Sequence, residues 1–121
     1  MVEIKLKPVL PSLREKKRYL AFEIISKEKI SDFSLVSNAI FNHSFQMLGR
    51  IGTAKAGIIP LANKWNAKLQ RGIIKVSHNH VDALKSSLIF AGKIGSNDII
   101  IRSLGVSGIL NKAVKKFNLE N

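Results

Sequence analysis

Apolar and polar residues alternate from Arg18 to Ser26: Leu20, Phe22 and Ile24 fall on one side, Tyr19, Ala21 and Glu23 on the other. A period of two, rich in aromatic and β-branched residues, predicts a half-buried strand. Its apolar face needs a partner layer, which places this strand at the centre of the fold. After the polar turn Lys27-Glu28-Lys29 the period changes. Phe33, Val36, Ile40 and Met47 recur at helical spacing, and Leu35, Ala39 and Leu48 widen the stripe. Ser31 is placed to cap this helix, Asp32 suits the positive end of its dipole, and Gly49 is the expected stop.

Residues 49–57 read as a glycine-punctuated connector, without the Gly-Lys-Ser/Thr element of a phosphate loop, although its Arg50 and Lys55 are candidates to touch a phosphate backbone. Ile58 to Trp65 reads as a strand that Pro60, lacking an N–H, confines to an edge. Asn66 to Gln70 is a turn, and Arg71 to Ser77 the returning strand of a hairpin. Asn79 is the expected cap of a second helix carrying Val81, Leu84 and Leu88, with Ala91 extending it and Gly92 to Gly95 ending it. Asp98 to Leu104 forms a fourth strand. Gly105 to Gly108 turns the chain, and Ser107 caps a last helix with Ile109, Leu110, Ala113, Val114 and Phe117 on one face. Residues 1–13, broken by Pro8 and Pro11, form an extended lead-in.

The order strand, helix, strand, strand, helix, strand, helix predicts one α+β domain over 1–121. It is a ferredoxin-like, RNA-recognition-like β-α-β-β-α-β sandwich with an added C-terminal helix. One helix layer covers one sheet face, the first strand is internal and the second lies at an edge.

Charge then narrows the function. Lys and Arg number 20 against 8 Asp and Glu, a net charge of +12 in 121 residues. Such a field attracts polyanions, and nucleic acid fits better than a membrane surface, which calls for a basic amphipathic helix with bulky anchors. A hydrophobic content of 45% excludes a disordered basic tail, and the absence of cysteine excludes disulfides and thiolate metal sites. Apolar runs are short for a membrane span, and the expected location is the cytoplasm.

The richest basic stretch is Arg14-Glu15-Lys16-Lys17-Arg18, directly before the first strand. Arg14, Lys16, Lys17 and Arg18 are the first candidates for RNA-backbone contact, with Arg50, Lys64, Lys68 and Arg71 a second group. The sheet lacks the aromatic pair with which RNA-recognition domains stack bases, leaving Tyr19 as the one stacking candidate. His78-Asn79-His80 has no third ligand nearby except Asp82, so a polar loop explains it better than a metal site. No nucleophile-base pair is visible, and the chain itself is expected to be non-catalytic.

The stretch Leu10-Pro11-Ser12-Leu13-Arg14-Glu15-Lys16-Lys17-Arg18-Tyr19-Leu20-Ala21-Phe22-Glu23-Ile24 resembles the N-terminal signature of the archaeal ribonuclease P protein component 2 family. Arg71-Gly72-Ile73-Ile74-Lys75-Val76 and Arg102-Ser103-Leu104-Gly105-Val106-Ser107-Gly108-Ile109-Leu110 are similar to further family motifs, in the family's order. The resemblance implies an RNA-binding subunit that assists the ribonuclease P RNA, which itself removes the 5′ leader of precursor tRNA with magnesium. The chain would bind no cofactor. Its protein partner would be ribonuclease P protein component 3, two copies of each. The apolar stripe Leu110, Val114 and Phe117 is the expected protein interface. The alternative is a ferredoxin-like small-molecule-binding or regulatory domain, which gives no reason for the charge.

Overall fold

A computed structural model describes residues 16–89 and 92–117. Arg14, the lead-in 1–13 and Ala91 lie outside the described residues. The elements are β1 (Lys17–Ser26), α1 (Phe33–Ala56), β2 (Ile59–Pro60), β3 (Arg71–Ser77), α2 (Val81–Ile89), β4 (Lys93–Ile94), β5 (Asn97–Ser107) and α3 (Leu110–Lys116). Single 3₁₀ turns occupy Ala62–Lys64 and His78–His80. The strands form one antiparallel sheet in the order β2-β3-β1-β5-β4. This is the ferredoxin-like α+β arrangement, with β1 internal and Pro60 on the edge strand.

The alternation along β1 sorts its residues as the sequence predicts. Leu20, Phe22 and Ile24 enter the main core with Ile74, Val76, Ile99 and Ile101, under Val36 and Ile40 of α1 and Leu84 and Leu88 of α2. Burying such side chains contributes about 1.5–3 kcal/mol each, which makes this layer the main stabilising term.

The opposite face is not left open, contrary to the single helix layer expected. Ile73, Ala113 and Val114 are buried there, with Tyr19, Leu61, Leu110 and Phe117 packed around them. The α3 stripe is therefore covered by the chain's own sheet. The register explains the choice of face: Ala21 pairs with Ile73 and Gly105, presenting small groups under the helix. A bulge at Leu104, where Ala21 and Phe22 face Gly105 and Ser103, carries β5 on to Ser107, past the expected end at Leu104.

Other boundaries move for local reasons. Asp32, not Ser31, caps α1, accepting from the Ser34 amide at 2.9 Å. Gly49 interrupts α1 at φ 73 and ψ 172, but the helix resumes through Ala56, so the expected connector is helical. The Thr53 hydroxyl reaches back to the Gly49 carbonyl (2.8 Å), and Gly57 in the left-handed region ends the helix. The strand expected from Ile58 to Trp65 keeps two residues. Beyond Pro60 the chain turns, and Trp65 stacks on Phe22 with ring centroids 6.1 Å apart. Asn79 accepts from the Ser77 hydroxyl in the 3₁₀ turn before α2 rather than capping it (2.8 Å). The Ser107 hydroxyl bonds the backbone of Ile109, which is itself the cap residue of α3.

Candidate nucleic-acid interface

Strand direction sorts the charges. β1 begins at Lys17 beside the end of β3 at Ser77, and it ends at Ser26 beside the start of β5. At the starting end stand Lys16, Lys17 and Arg18, with Lys75 and His78 from β3 and its 3₁₀ turn and Lys55 from the last turn of α1. Of the acidic residues described, Glu23, Glu28, Asp32 and Asp98 lie toward the other end, and Asp82 alone belongs to this one. The ion pairs follow the acids: Arg71 and Arg102 both hold Glu23, and Lys93 approaches Asp98 at 3.9 Å. Among the described residues, no such pair neutralises Lys16, Lys17 or Arg18. Unpaired cations on a rigid edge repel one another in water, and a polyanion relieves that repulsion.

Local bonds set the positions of these cations. The His78 amide donates to the Lys16 carbonyl (2.8 Å), extending the β1–β3 ladder by one residue. The Arg18 guanidinium donates to the Lys17 carbonyl (3.1 Å) and lies beside Gly108, 3.6 Å from where a Cβ would stand. The Lys17 ammonium lies 3.3 Å from the corresponding point on Gly57. It thus sits at the carbonyl end of α1, where the helix dipole favours a cation.

The remaining candidates are dispersed. Arg50 lies over the Phe45 ring at 5.7 Å, on the segment of α1 beyond Gly49. Lys64 is half-buried in the first 3₁₀ turn, and exposed Lys68 lends its carbonyl to the Lys29 ammonium (2.9 Å). Arg71 has a structural position: Nε meets Glu23 at 3.1 Å and Nη1 donates to the Phe117 carbonyl at 2.9 Å. Leu110, Val114 and Phe117, expected at a protein interface, pack against the sheet, Val114 at 7% exposure. The large apolar groups left exposed include Phe45, Met47 and Ile51 of α1 and the paired Ile25 and Ile100.

Lys75 and His78 escaped sequence reasoning. Lys55 is expected there as a phosphate contact on a connector, whereas it stands on the last turn of α1, and the approach of His78 to Lys16 depends on a register that periodicity does not reveal. Among the described residues no three His, Asp or Glu side chains gather into a metal-binding group. No helix among them is long and apolar enough to cross a membrane.

Fold and charge together define a basic ferredoxin-like protein whose cations without an ion pair among the described residues gather at one end of its sheet. Residues 18–118 match the Rpp14/Pop5 family, and the chain belongs to it. It is 39% identical to ribonuclease P protein component 2 of Pyrococcus abyssi, over 94% of each chain. The protein of the same name from Methanosarcina mazei is also 39% identical, over 93% of this chain and 92% of its own. A chain in the structure of yeast ribonuclease MRP shares the fold, with a TM-score of 0.60 at 16% identity over 87% of this chain and 93% of its own.

Proposed function

We propose that the chain is an RNA-binding protein subunit of ribonuclease P that takes part in maturation of the tRNA 5′ end. The observation that carries this reading is the basic end of the sheet, Lys16, Lys17 and Arg18, which no ion pair among the described residues neutralises, in a member of this family. The mechanism is positional. The cations neutralise backbone phosphates of the ribonuclease P RNA or precursor tRNA, release counterions and hold the RNA in one orientation. Hydrolysis of the phosphodiester belongs to the RNA, and magnesium with it. The described residues of the chain offer no cluster to hold that ion.

The protein partner in this reading is ribonuclease P protein component 3, joined two to two. Apolar side chains left open on α1, such as Phe45 and Ile51, support a protein contact. The small-molecule alternative gains nothing from the surface. The hollow of about 470 Å³ lined by Lys27, Glu28, Ser96, Asn97 and Asp98 is an open polar trough.

The test is filter retention of ribonuclease P RNA from low to high salt. Replacing Lys16, Lys17 and Arg18 by Ala is expected to flatten the slope of log affinity against log salt by roughly two to three units. An unchanged slope in a folded triple variant overturns the contact.

A further inference from the structure

The basic end is wider than the run that introduces it. Arg18 stands beside Gly108 at the end of β5, Lys16 and Lys17 on β1, His78 at the end of β3, and Lys55 two residues before Gly57. Gly57 leads into β2, so these groups cross the sheet from β5 to the β2 edge, about three strand spacings or roughly 15 Å. Lys16, Lys17, Lys55 and His78 are exposed, and Arg18 is half-buried. Every one of them starts from a hydrogen-bonded strand end or the last turn of a helix.

A single strand is held by backbone charge together with stacking of its splayed bases on aromatic rings. Among the described residues this end presents no exposed Phe, Tyr or Trp: Tyr19 is packed under α3 and exposed Phe45 belongs to α1 beyond it, so the His78 imidazole stands alone and makes no platform for successive bases. A fixed row of cations suits instead a ligand whose phosphates are themselves fixed. An RNA stem meets that condition and is read by shape, phosphates and 2′-hydroxyls.

We propose that the sheet end is a composite site for the backbone of double-stranded RNA, in which Lys55 and His78 act with Lys16, Lys17 and Arg18. The proposal rests on the RNA-binding reading above and names the form of RNA. Lys17 and Lys55 flank the end of α1 and grip one backbone. Arg18 lies farthest from them along the row and reaches the other. The His78 imidazole lies between and can hydrogen-bond a 2′-hydroxyl or phosphate oxygen.

The test measures retention of a short RNA hairpin, and of a same-length strand unable to pair, by the full chain and by Lys55→Ala, His78→Ala and Lys27→Ala, the last exposed and just past the opposite end of β1. The native chain is expected to prefer the hairpin. Lys55→Ala should lower hairpin affinity about three- to tenfold and reduce the salt slope by about 1. Restoring the charge with Lys55→Arg should recover most of the loss. His78→Ala keeps the backbone bond to Lys16 and should weaken hairpin binding more than Lys27→Ala, which should match the native chain. Equal retention of both RNAs overturns the duplex assignment. Lys55→Ala and His78→Ala behaving like Lys27→Ala overturns the composite site. A native chain that retains neither RNA refutes the RNA-binding reading itself, which separates that failure from the other two.

Discussion

The Phe117 ring lies 2.5 Å from the point where a Cβ on Gly105 would stand. The absence of a side chain at Gly105 is therefore what lets the end of α3 settle on the sheet. The Arg71 guanidinium fastens the same place by donating to the Phe117 carbonyl. Together these contacts cover the face that a related topology would use for stacking bases.

Gly105→Ala is expected to destabilise the protein by about 1–3 kcal/mol, because the new methyl collides with a ring held on several sides. Phe117→Ala should cost about 2 kcal/mol, less than a fully buried phenylalanine. In the Phe117→Ala background the Gly105 substitution should cost less than about 0.5 kcal/mol, since the collision partner is gone. Urea unfolding of the four proteins measures this coupling, and purely additive costs would show that Gly105 is required for another reason.

Glu23 holds two arginines, Arg71 from β3 and Arg102 from β5, across the central strand. Its side chain is 17% exposed, against 59% for Arg102. Arg102→Ala should therefore cost about 0.5 kcal/mol or less. Arg71→Ala also removes the bond to Phe117 and should cost about 1–2 kcal/mol. Neither substitution should alter the salt slope of RNA binding, because both arginines lie away from the basic end. A slope that falls with Arg71→Ala would return this residue to the RNA surface.

β1 and β5 were legible from an alternation that buries Leu20, Phe22 and Ile24 and Ile99 and Ile101, and Pro60 marked its edge unaided, whereas the two residues of β4 carry no pattern and fall where the sequence places the end of the second helix. The α3 stripe announced that Leu110, Val114 and Phe117 need cover, but a stripe does not say which surface supplies it. The glycine at position 105, paired with Ala21, was the missing signal. Gly49 was read as a stop because glycine commonly ends helices. Its backbone does leave the helix there, yet the helix-favouring run after it resumes the path. Gln70 was placed in a polar turn, whereas its side-chain amide is buried against both backbone groups of Ile30. Lys75 and His78 were invisible as site residues because only pairing brings them beside Lys16 and Lys17, whereas Lys55 stood out in the sequence as a cation within reach of a phosphate but not by its place on α1.

Asp32 gives the acid response a defined sign. The Ser34 hydroxyl and amide donate to its carboxylate and hold its pKa below the ordinary 3.8. A carboxyl depressed by folding adds stability above its unfolded pKa, and that stability is lost as pH falls through the folded value. Asp32→Asn retains an acceptor but no titration. Its melting temperature should decline less than that of the native chain from about pH 5 to about pH 3. Parallel declines in the two proteins would remove Asp32 from the acid response.

Tyr19 separates stacking from packing. It is the one aromatic residue that the sheet could offer to a base, and it lies among Ile73, Val114 and Phe117 beneath α3. Were it a stacking platform, Tyr19→Ala would forfeit about 1–3 kcal/mol of RNA affinity, the usual loss for one base on one ring. Packing predicts the reverse distribution. Stability falls by about 2 kcal/mol, the lower range for removing a large side chain from a partly exposed site. RNA affinity, measured below the variant's melting temperature, should stay within about twofold if phosphate contacts at the sheet end carry the binding as proposed. Tyr19→Phe retains both the ring and the packing and should match the native chain in both measurements. A tenfold loss of affinity in a folded Tyr19→Ala protein, with its salt slope unchanged, would mean that α3 moves aside for RNA and that the covered face takes part in binding.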